Sequence, residues 1–218
     1  AGSRDEAMIS SMMGLPEAPT LDAAGFARRT KELLEIYPRQ NTLAQLNLMD
    51  SHDMPRFLSM VSSNKDTFRL ATLFQMTYPG APCIYYGNEI GMMGGRDPEN
   101  RAPFPWDESR WDQNLRNWVK TFAHIRREHQ VLRTGEYVPI FSEGRRLLIL
   151  RHLEGVRMLI AFNADGGEWE LNIPMREHFV DGVAFEDLLG GEGAIVVEGH
   201  LRRGRLGAWE GAIFKQER

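Results

Sequence analysis

The sequence predicts an α/β part followed by an all-β part, because its hydrophobic periodicity changes near residue 135. Before that point, apolar residues recur at helical spacing in long stretches, with short apolar runs between them. After it, short segments of alternating apolar and polar residues are separated by Gly, Asp and Asn turns, a pattern typical of antiparallel strands. We therefore divide the chain into residues 1–134 and 135–218, and we expect the second part to form an antiparallel β-sandwich.

Helices and strands alternate in the first part. The predicted elements are a helix over 22–38, a strand that ends in the stretch NLMDSHDMPRF (47–57), a helix over 65–80, a buried strand over 81–91, a Gly- and Pro-rich loop over 91–112 and a helix over 113–132. Asp66 or Thr67 is the expected N-cap of the second helix, and Pro79-Gly80 ends it.

The second part predicts at least six short strands, at 135–141, 145–153, 156–164, 168–174, 194–199 and 207–215. We expect them to pack against the helix at 113–132, with Trp118 or Phe122 in the contact.

Composition excludes several classes of protein. A net charge of −4 gives no basic surface for nucleic acid or an anionic membrane, and no apolar run approaches the roughly 18 residues of a membrane span. Cys83 is the single cysteine, so an internal disulfide is excluded. No oxygen-rich cluster suggests calcium, and we expect neither a metal nor a cofactor. The cellular location stays open, with the cytoplasm favoured.

Polar and titratable residues follow both predicted strands. Asp50, His52 and Asp53 end the first strand, and Asn88 and Glu89 follow the second. In parallel α/β barrels, the residues at the carboxyl ends of strands line the active site. Strand alternation would point Asp50 and His52 the same way, with Asp53 beginning the turn. Alternatively, the aspartates form the turn or cap a helix, and His52 is structural.

Two segments carry a resemblance to a known family. LNLMDSHDMPRF (46–57) resembles the fourth signature of the α-amylase family of glycoside hydrolases. YPGAPCIYYGNEIGMMGGRDPENRAPFPW (78–106) resembles the eighth-strand segment of the same family, in the style of neopullulanases and cyclomaltodextrinases. The resemblance implies the last strands and helices of a TIM (β/α)8 barrel followed by the β-sandwich. It also implies retaining hydrolysis or transfer on α-linked glucans, either oligosaccharide or polysaccharide.

The resemblance also implies roles for four residues. Asp53 matches the aspartate that stabilises the transition state, and His52 matches the histidine that binds the same sugar. Asp97 and Arg101 match a pair that contacts the glucan further along, although residues four apart could equally form a plain loop ion pair. Position 51 departs from the family pattern, because serine stands where asparagine is usual.

Two catalytic groups of the family have no match. A retaining glycosidase needs a nucleophilic carboxylate and an acid/base carboxyl group about 5 Å apart. The family takes both from its fourth and fifth strands, and neither motif occurs here. A full barrel needs about 250 residues. We therefore expect the C-terminal portion of such an enzyme, inactive by itself. Because its strand edges lack neighbours, we expect a homo-oligomer or association with the missing N-terminal part.

Two other classes of protein are compatible with parts of the sequence. A non-catalytic carbohydrate-binding or structural module is favoured by the missing carboxylates. A metal-dependent His-Asp phosphohydrolase would need further ligands on helices. His124 and His129 are five residues apart on one predicted helix and face different directions, so we disfavour this class.

Overall fold

The computed structural model describes residues 20–217. The helices are α1 (Ala23–Glu35), α2 (Arg39–Ala44), α3 (Phe57–Met60), α4 (Lys65–Thr77), α5 (Gln113–Glu128) and α6 (Gln130–Thr134). The strands are β1 (Leu46–Leu48), β2 (Ala81–Cys83), β3 (Glu136–Glu143), β4 (Arg146–Leu153), β5 (Val156–Asn163), β6 (Trp169–Pro174), β7 (Ala184–Asp187), β8 (Ala194–Val197), β9 (His200–Leu206) and β10 (Glu210–Gln216). Single turns of 3-10 helix lie at Asn88–Ile90, Glu99–Arg101 and Glu108–Arg110.

The predicted helices form, but two of their boundaries differ. The N-cap of α4 is Asn64, whose side-chain oxygen accepts the backbone N–H of Thr67 at 2.9 Å, so Asp66 and Thr67 are already helical. The helix predicted over 113–132 is interrupted at His129, where the backbone is extended, and continues as α6.

The first two strands form a short parallel pair. β1 and β2 are three residues each, because residues 39–44 form α2 and the chain leaves strand geometry after Cys83. Gln75, on the connecting helix α4, donates its side-chain amide to the carbonyls of Asn47 at 2.7 Å and Cys83 at 2.9 Å. The expected β–α–β order is therefore present, although both strands are shorter than predicted and neither is fully buried.

The remaining strands form one continuous antiparallel sheet. Its eight strands run in the order β3-β4-β5-β10-β7-β8-β9-β6, so the predicted antiparallel all-β part is present, but as one continuous sheet rather than as a sandwich of two. The physical reason is that β10 pairs with both β5 and β7, so the backbone hydrogen bonding is continuous between β3-β4-β5 and β7-β8-β9-β6. Phe141 on β3 stacks on Trp169 on β6, with ring centroids 5.5 Å apart, so the two ends of the sheet meet and it is nearly closed.

The two faces of this sheet bury different clusters. In β4, Leu148 and Leu150 face a core enclosed by the sheet, whereas Leu147 and Ile149 face the helices. Phe122 of α5 is buried in the helix-side cluster, and Trp118 packs against it, as expected from the sequence.

Two buried arginines tie the helices to the sheet. Arg126 on α5 donates to the carbonyls of Met76 at 2.7 Å and Tyr78 at 3.0 Å, which lie at the end of α4. Arg151 on β4 donates to the carbonyls of Thr77 and, at 2.9 Å, of Gly135. Burial lowers the pKa of both guanidinium groups. Each guanidinium satisfies carbonyls that a helix end would otherwise leave unpaired.

Candidate active site

Asp50 fixes the end of β1. Its carboxylate accepts the backbone N–H of Phe57 and the side-chain amide of Asn88, both at 2.6 Å, and the residue is 2% exposed. Burial raises the pKa of Asp50, and these two hydrogen bonds and Arg56 oppose the rise. β1 ends at Leu48, so strand alternation does not extend to Asp50 and His52. The prediction that these two side chains point the same way is wrong, because Asp50 is buried and His52 is exposed.

Arg56 lies fully buried beneath the same turn, a position that the sequence alone did not single out. Its Nη1 donates to the carbonyl of Tyr86 at 2.6 Å and contacts Asn88 Oδ1 at 3.3 Å. The guanidinium carbon lies 4.7 Å from the ring centroids of both Tyr85 and Tyr86. Nε and Nη2 have no hydrogen-bond partner within residues 20–217. Arg56 and Asp50 together attach the turn after β1 to the segment after β2.

The four residues that the resemblance singled out lie in one exposed cluster, here called the Asp53 cluster. His52 Nε2 lies 3.3 Å and Arg101 Nη2 lies 3.4 Å from Asp53 Oδ1. Arg101 Nε also lies 3.2 Å from Asp97 Oδ1. The Asp53 side chain is 65% exposed, so its carboxylate is accessible to a solute. Asp97 and Arg101 thus form the loop ion pair that was the alternative to a sugar-binding pair. Arg101 also contacts Asp53.

Asn100 holds the turn that carries this cluster, and it was missed in the sequence. Its side-chain amide donates to the carbonyls of His52 at 2.8 Å and Met54 at 2.9 Å, on either side of Asp53. Arg101 Nε donates to the same His52 carbonyl at 3.1 Å. Asn100 is 1% exposed, so these bonds are shielded from water. The only sequence signal was its place in DPENR, between the two residues of the predicted pair.

Aromatic side chains follow the cluster along the chain. Tyr86 donates its hydroxyl to the carbonyl of Ala102 at 2.7 Å, next to Arg101. Trp106 is 83% exposed and lies against Phe104, with ring centroids 4.9 Å apart. An exposed indole face is apolar and flat, which suits the C–H face of a sugar ring.

Other candidate chemistry is sparse in the part of the chain that the structure describes. Glu89 is half-buried, and its Oε2 is buried without a hydrogen-bond partner among residues 20–217. Within those residues, no three His, Cys, Asp or Glu side chains are grouped as metal ligands. The described helices include none with the length and apolar character of a membrane span.

Comparisons with known proteins show which family the chain resembles. The catalytic-domain profile of the α-amylase family matches residues 18–153. A cyclomaltodextrinase from a Bacillus species is 39% identical over 146 residues, covering 66% of this chain and 26% of its own. Neopullulanase 2 from Thermoactinomyces vulgaris is 45% identical over 100 residues, covering 46% of this chain and 17% of its own. The crystal structure of a debranching enzyme from Nostoc punctiforme superposes with a TM-score of 0.83 at 32% identity, covering 99% of this chain and 44% of its own.

The fold and the family match are those of a glycoside hydrolase segment. The chain belongs to the α-amylase family, and the two curated relatives described above are named as a cyclomaltodextrinase and a neopullulanase. It spans less than half the length of each relative described above. The family implies a TIM barrel and a β domain; the two parallel strands described here are too few to define a barrel by themselves.

Proposed function

We propose that the chain is the C-terminal portion of a retaining glycosidase that hydrolyses or transfers α-1,4 or α-1,6 bonds of glucans, with Asp53 as its transition-state stabiliser. The observation that carries the proposal is the exposed Asp53 carboxylate, placed within 3.4 Å of both His52 and Arg101 just after β1. Residues 1–134 belong, in this proposal, to the barrel, and residues 135–218 to the C-terminal β domain.

The proposed role of Asp53 depends on its negative charge. Glycoside cleavage passes through an oxocarbenium-like state, in which hydroxyl groups become better hydrogen-bond donors. An ionised Asp53 accepts such a hydroxyl more strongly in that state than in the ground state, so the contact accelerates the reaction. Arg101 Nη2 lies 3.4 Å from Asp53 Oδ1 and forms an ion pair with it. His52 donates to or accepts from the same sugar, and Asp97 binds further along the glucan.

The nucleophile and the acid/base belong to another segment in this proposal. Asp50 is buried and committed to Phe57 and Asn88, so it cannot attack a sugar. Asp53 alone cannot form a glycosyl intermediate. We therefore propose that the 218-residue chain by itself is inactive.

The surface near β1 supports an association with further protein. Leu46 and Leu48 are 65% and 52% exposed, and in the described chain β1 pairs only with β2. A mainly apolar cavity of 660 Å³ lies beside them, between α1, α4 and the sheet. Exposed apolar surface at an unpaired strand edge tends to associate with other protein surfaces. We propose that the barrel segment of a longer protein, or a second copy of the chain, covers it.

A chimera tests the proposed function. Residues 20–217 would replace the matching segment of the debranching enzyme from Nostoc punctiforme, which covers 99% of this chain and whose remaining residues supply the rest of the enzyme. Reducing-sugar release from maltodextrin, cyclodextrin and pullulan is expected from the chimera and not from the 218-residue chain. A folded chimera without turnover, or turnover by the isolated chain that Asp53→Ala abolishes, contradicts the proposal.

A sugar-binding module without chemistry is the second candidate. It is favoured by the exposed Asp53 cluster together with the absence, among residues 20–217, of a second exposed carboxylate placed by a family motif at a strand end. Sugar binding by a chimera that folds but never turns over would favour this candidate.

A further inference from the structure

The chain contains two Asp-Gly dipeptides, and the structure surrounds them differently. Asp165-Gly166 lies in the turn between β5 and β6, and Asp181-Gly182 lies just before β7. An aspartate followed by glycine can rearrange, because the next backbone nitrogen can attack the side-chain carboxyl carbon and glycine has no side chain to hinder the approach. The contacts of each dipeptide therefore decide how readily the folded chain reacts there.

At the first dipeptide, the two reacting groups already lie next to each other. The backbone N–H of Gly166 donates to Asp165 Oδ1 at 2.8 Å and to no other residue within 20–217. The Asp165 side chain is 50% exposed, and its Oδ2 has only a loose ion pair with Arg146 Nη2, at 3.7 Å, within the described chain. A Cβ built at Gly166 or Gly167 would meet nothing within 4 Å, so the surroundings leave room for a ring to close.

At the second dipeptide, both reacting groups are engaged by the sheet. Asp181 Oδ1 accepts the backbone N–H of Gly199 at 2.6 Å, and the N–H of Gly182 donates to the carbonyl of Val196 at 2.8 Å. Both hydrogen bonds must break before the Gly182 nitrogen can reach the carboxyl carbon. Two ordinary hydrogen bonds of this kind lower the reactive population about tenfold or more.

We propose that Asp165 is a site of spontaneous isomerisation to isoaspartate, with water as the co-reactant. The Gly166 nitrogen forms a bond to the side-chain carboxyl carbon of Asp165, and the nitrogen's proton and the carboxyl hydroxyl leave together as one water. The product is a succinimide ring. One water then adds to a ring carbonyl: opening at the side-chain carbonyl restores aspartate, whereas opening at the main-chain carbonyl sends the backbone through the side chain. The proposal does not depend on the proposed glycosidase function.

The turn that would change is attached to other parts of the sheet. The carbonyl of Asp165 accepts the backbone N–H of Trp209, just before β10, at 3.2 Å. The fully buried Asn163 donates its side-chain amide to the carbonyls of Gly167 at 2.8 Å and Gly207 at 2.7 Å. Isoaspartate lengthens the main chain of this turn by one carbon. We therefore expect it to displace these contacts and destabilise this end of the sheet.

Incubation of the folded 218-residue chain in ¹⁸O-labelled water tests the proposal, because each passage through the succinimide introduces one ¹⁸O. Peptide mass spectrometry with electron-transfer fragmentation, which distinguishes isoaspartate from aspartate, is applied to both dipeptides. Isoaspartate and ¹⁸O are expected to accumulate at Asp165 about tenfold or more faster than at Asp181. In concentrated urea the hydrogen bonds at Asp181 are lost, so the two dipeptides should react at similar rates.

Gly166→Ala is the matched variant. It places a methyl group beside the attacking nitrogen, and both the open space there and a φ outside the left-handed region accommodate alanine. Isomerisation at Asp165 should fall severalfold, with the rate at Asp181 unchanged, and circular dichroism establishes that the variant is folded. Equal rates at the two dipeptides of the folded parent, no isoaspartate at Asp165, or an unchanged rate in a folded Gly166→Ala would each overturn the proposal. The comparison within the parent chain decides even where the variant does not fold.

Discussion

The side-chain amide of Asn100 donates to the backbone carbonyl of His52 at 2.8 Å, across 48 residues of sequence. The same nitrogen donates to the carbonyl of Met54 at 2.9 Å, so one buried group holds the backbone on both sides of Asp53. The position of the Asp53 carboxylate is therefore set from the segment after β2 as well as from its own strand.

Asn100→Asp is expected to destabilise the chain. The new carboxylate has no N–H to donate, and it would face the two carbonyls of the Asp53 turn in a buried position. Loss of both bonds should lower the free energy of unfolding by about 2 kcal/mol or more. Urea denaturation followed by circular dichroism measures the change. Arg96→Gln, an exposed change nearby, is the control, expected within about 0.5 kcal/mol of the parent. Equal stabilities of the two variants would show that the amide bonds contribute little.

Asp53→Asn in the chimera should lower kcat far more than it raises KM. The amide keeps the size of the side chain but loses the charge that favours the transition state, and a loss of several kcal/mol corresponds to about 10³-fold in kcat. Steady-state kinetics on maltodextrin separate the two constants. Asp97→Asn is the comparison, expected chiefly to raise KM. An unchanged kcat in Asp53→Asn refutes the stabilising role.

Self-association of the 218-residue chain should depend on β1. Leu46→Lys together with Leu48→Lys places charges on the exposed apolar surface of that strand and is expected to increase the monomer fraction. Size-exclusion chromatography with light scattering, over a range of concentrations, gives the mass. Val180→Lys is the control, since Val180 is 74% exposed but lies away from β1 in the chain. A parent chain that stays monomeric at high concentration contradicts this expectation.

Stability should fall at alkaline pH partly through Tyr137. Burial raises the pKa of its hydroxyl from 10.0 to about 12, against the opposing effects of Thr30 and Arg151. The folded state thus holds this proton more tightly than the unfolded state. Its contribution is full below pH 10 and is lost as the pH rises towards 12.

Tyr137→Phe isolates that contribution. The variant loses the hydroxyl contact with Thr30, 2.9 Å in the parent, and should be less stable at pH 7. Between pH 10 and 12 its free energy of unfolding should decline less steeply than that of the parent, by up to about 1.4 kcal/mol per pH unit. Urea unfolding at a series of pH values measures both slopes, with exposed Tyr37→Phe as the control. Parallel slopes in Tyr137→Phe and the parent would contradict the assignment.

Periodicity predicted α1, α4, α5 and six of the eight strands of the antiparallel sheet, because each of these elements buries one regular face. It missed β7 and β9 for different reasons. β7 is only four residues long, and β9 carries three arginines in seven residues. The single continuous sheet was also not predicted, since the pairing of β10 with both β5 and β7 is a long-range contact that local patterns do not encode.

The same difference between local patterns and long-range contacts applies to the candidate site. Motif resemblance singled out His52, Asp53, Asp97 and Arg101, because their residue types and spacing are local. It did not reveal Asn100 or Arg56, whose partners lie 30 or more residues away. An asparagine and an arginine in a loop are usually solvated, so no local signal distinguished these buried ones.

The contacts of Arg151 mean that the sheet cannot be excised or grafted without the neighbouring helices. It belongs to β4, yet its guanidinium binds the carbonyl of Thr77 at the end of α4 and that of Leu132 in α6 at 3.1 Å. A sheet cut out at residue 135, or grafted onto an unrelated scaffold, would carry a buried cation stripped of these acceptors. In domain swaps among relatives, the α4 terminus and α6 would therefore have to be transferred together with the strands.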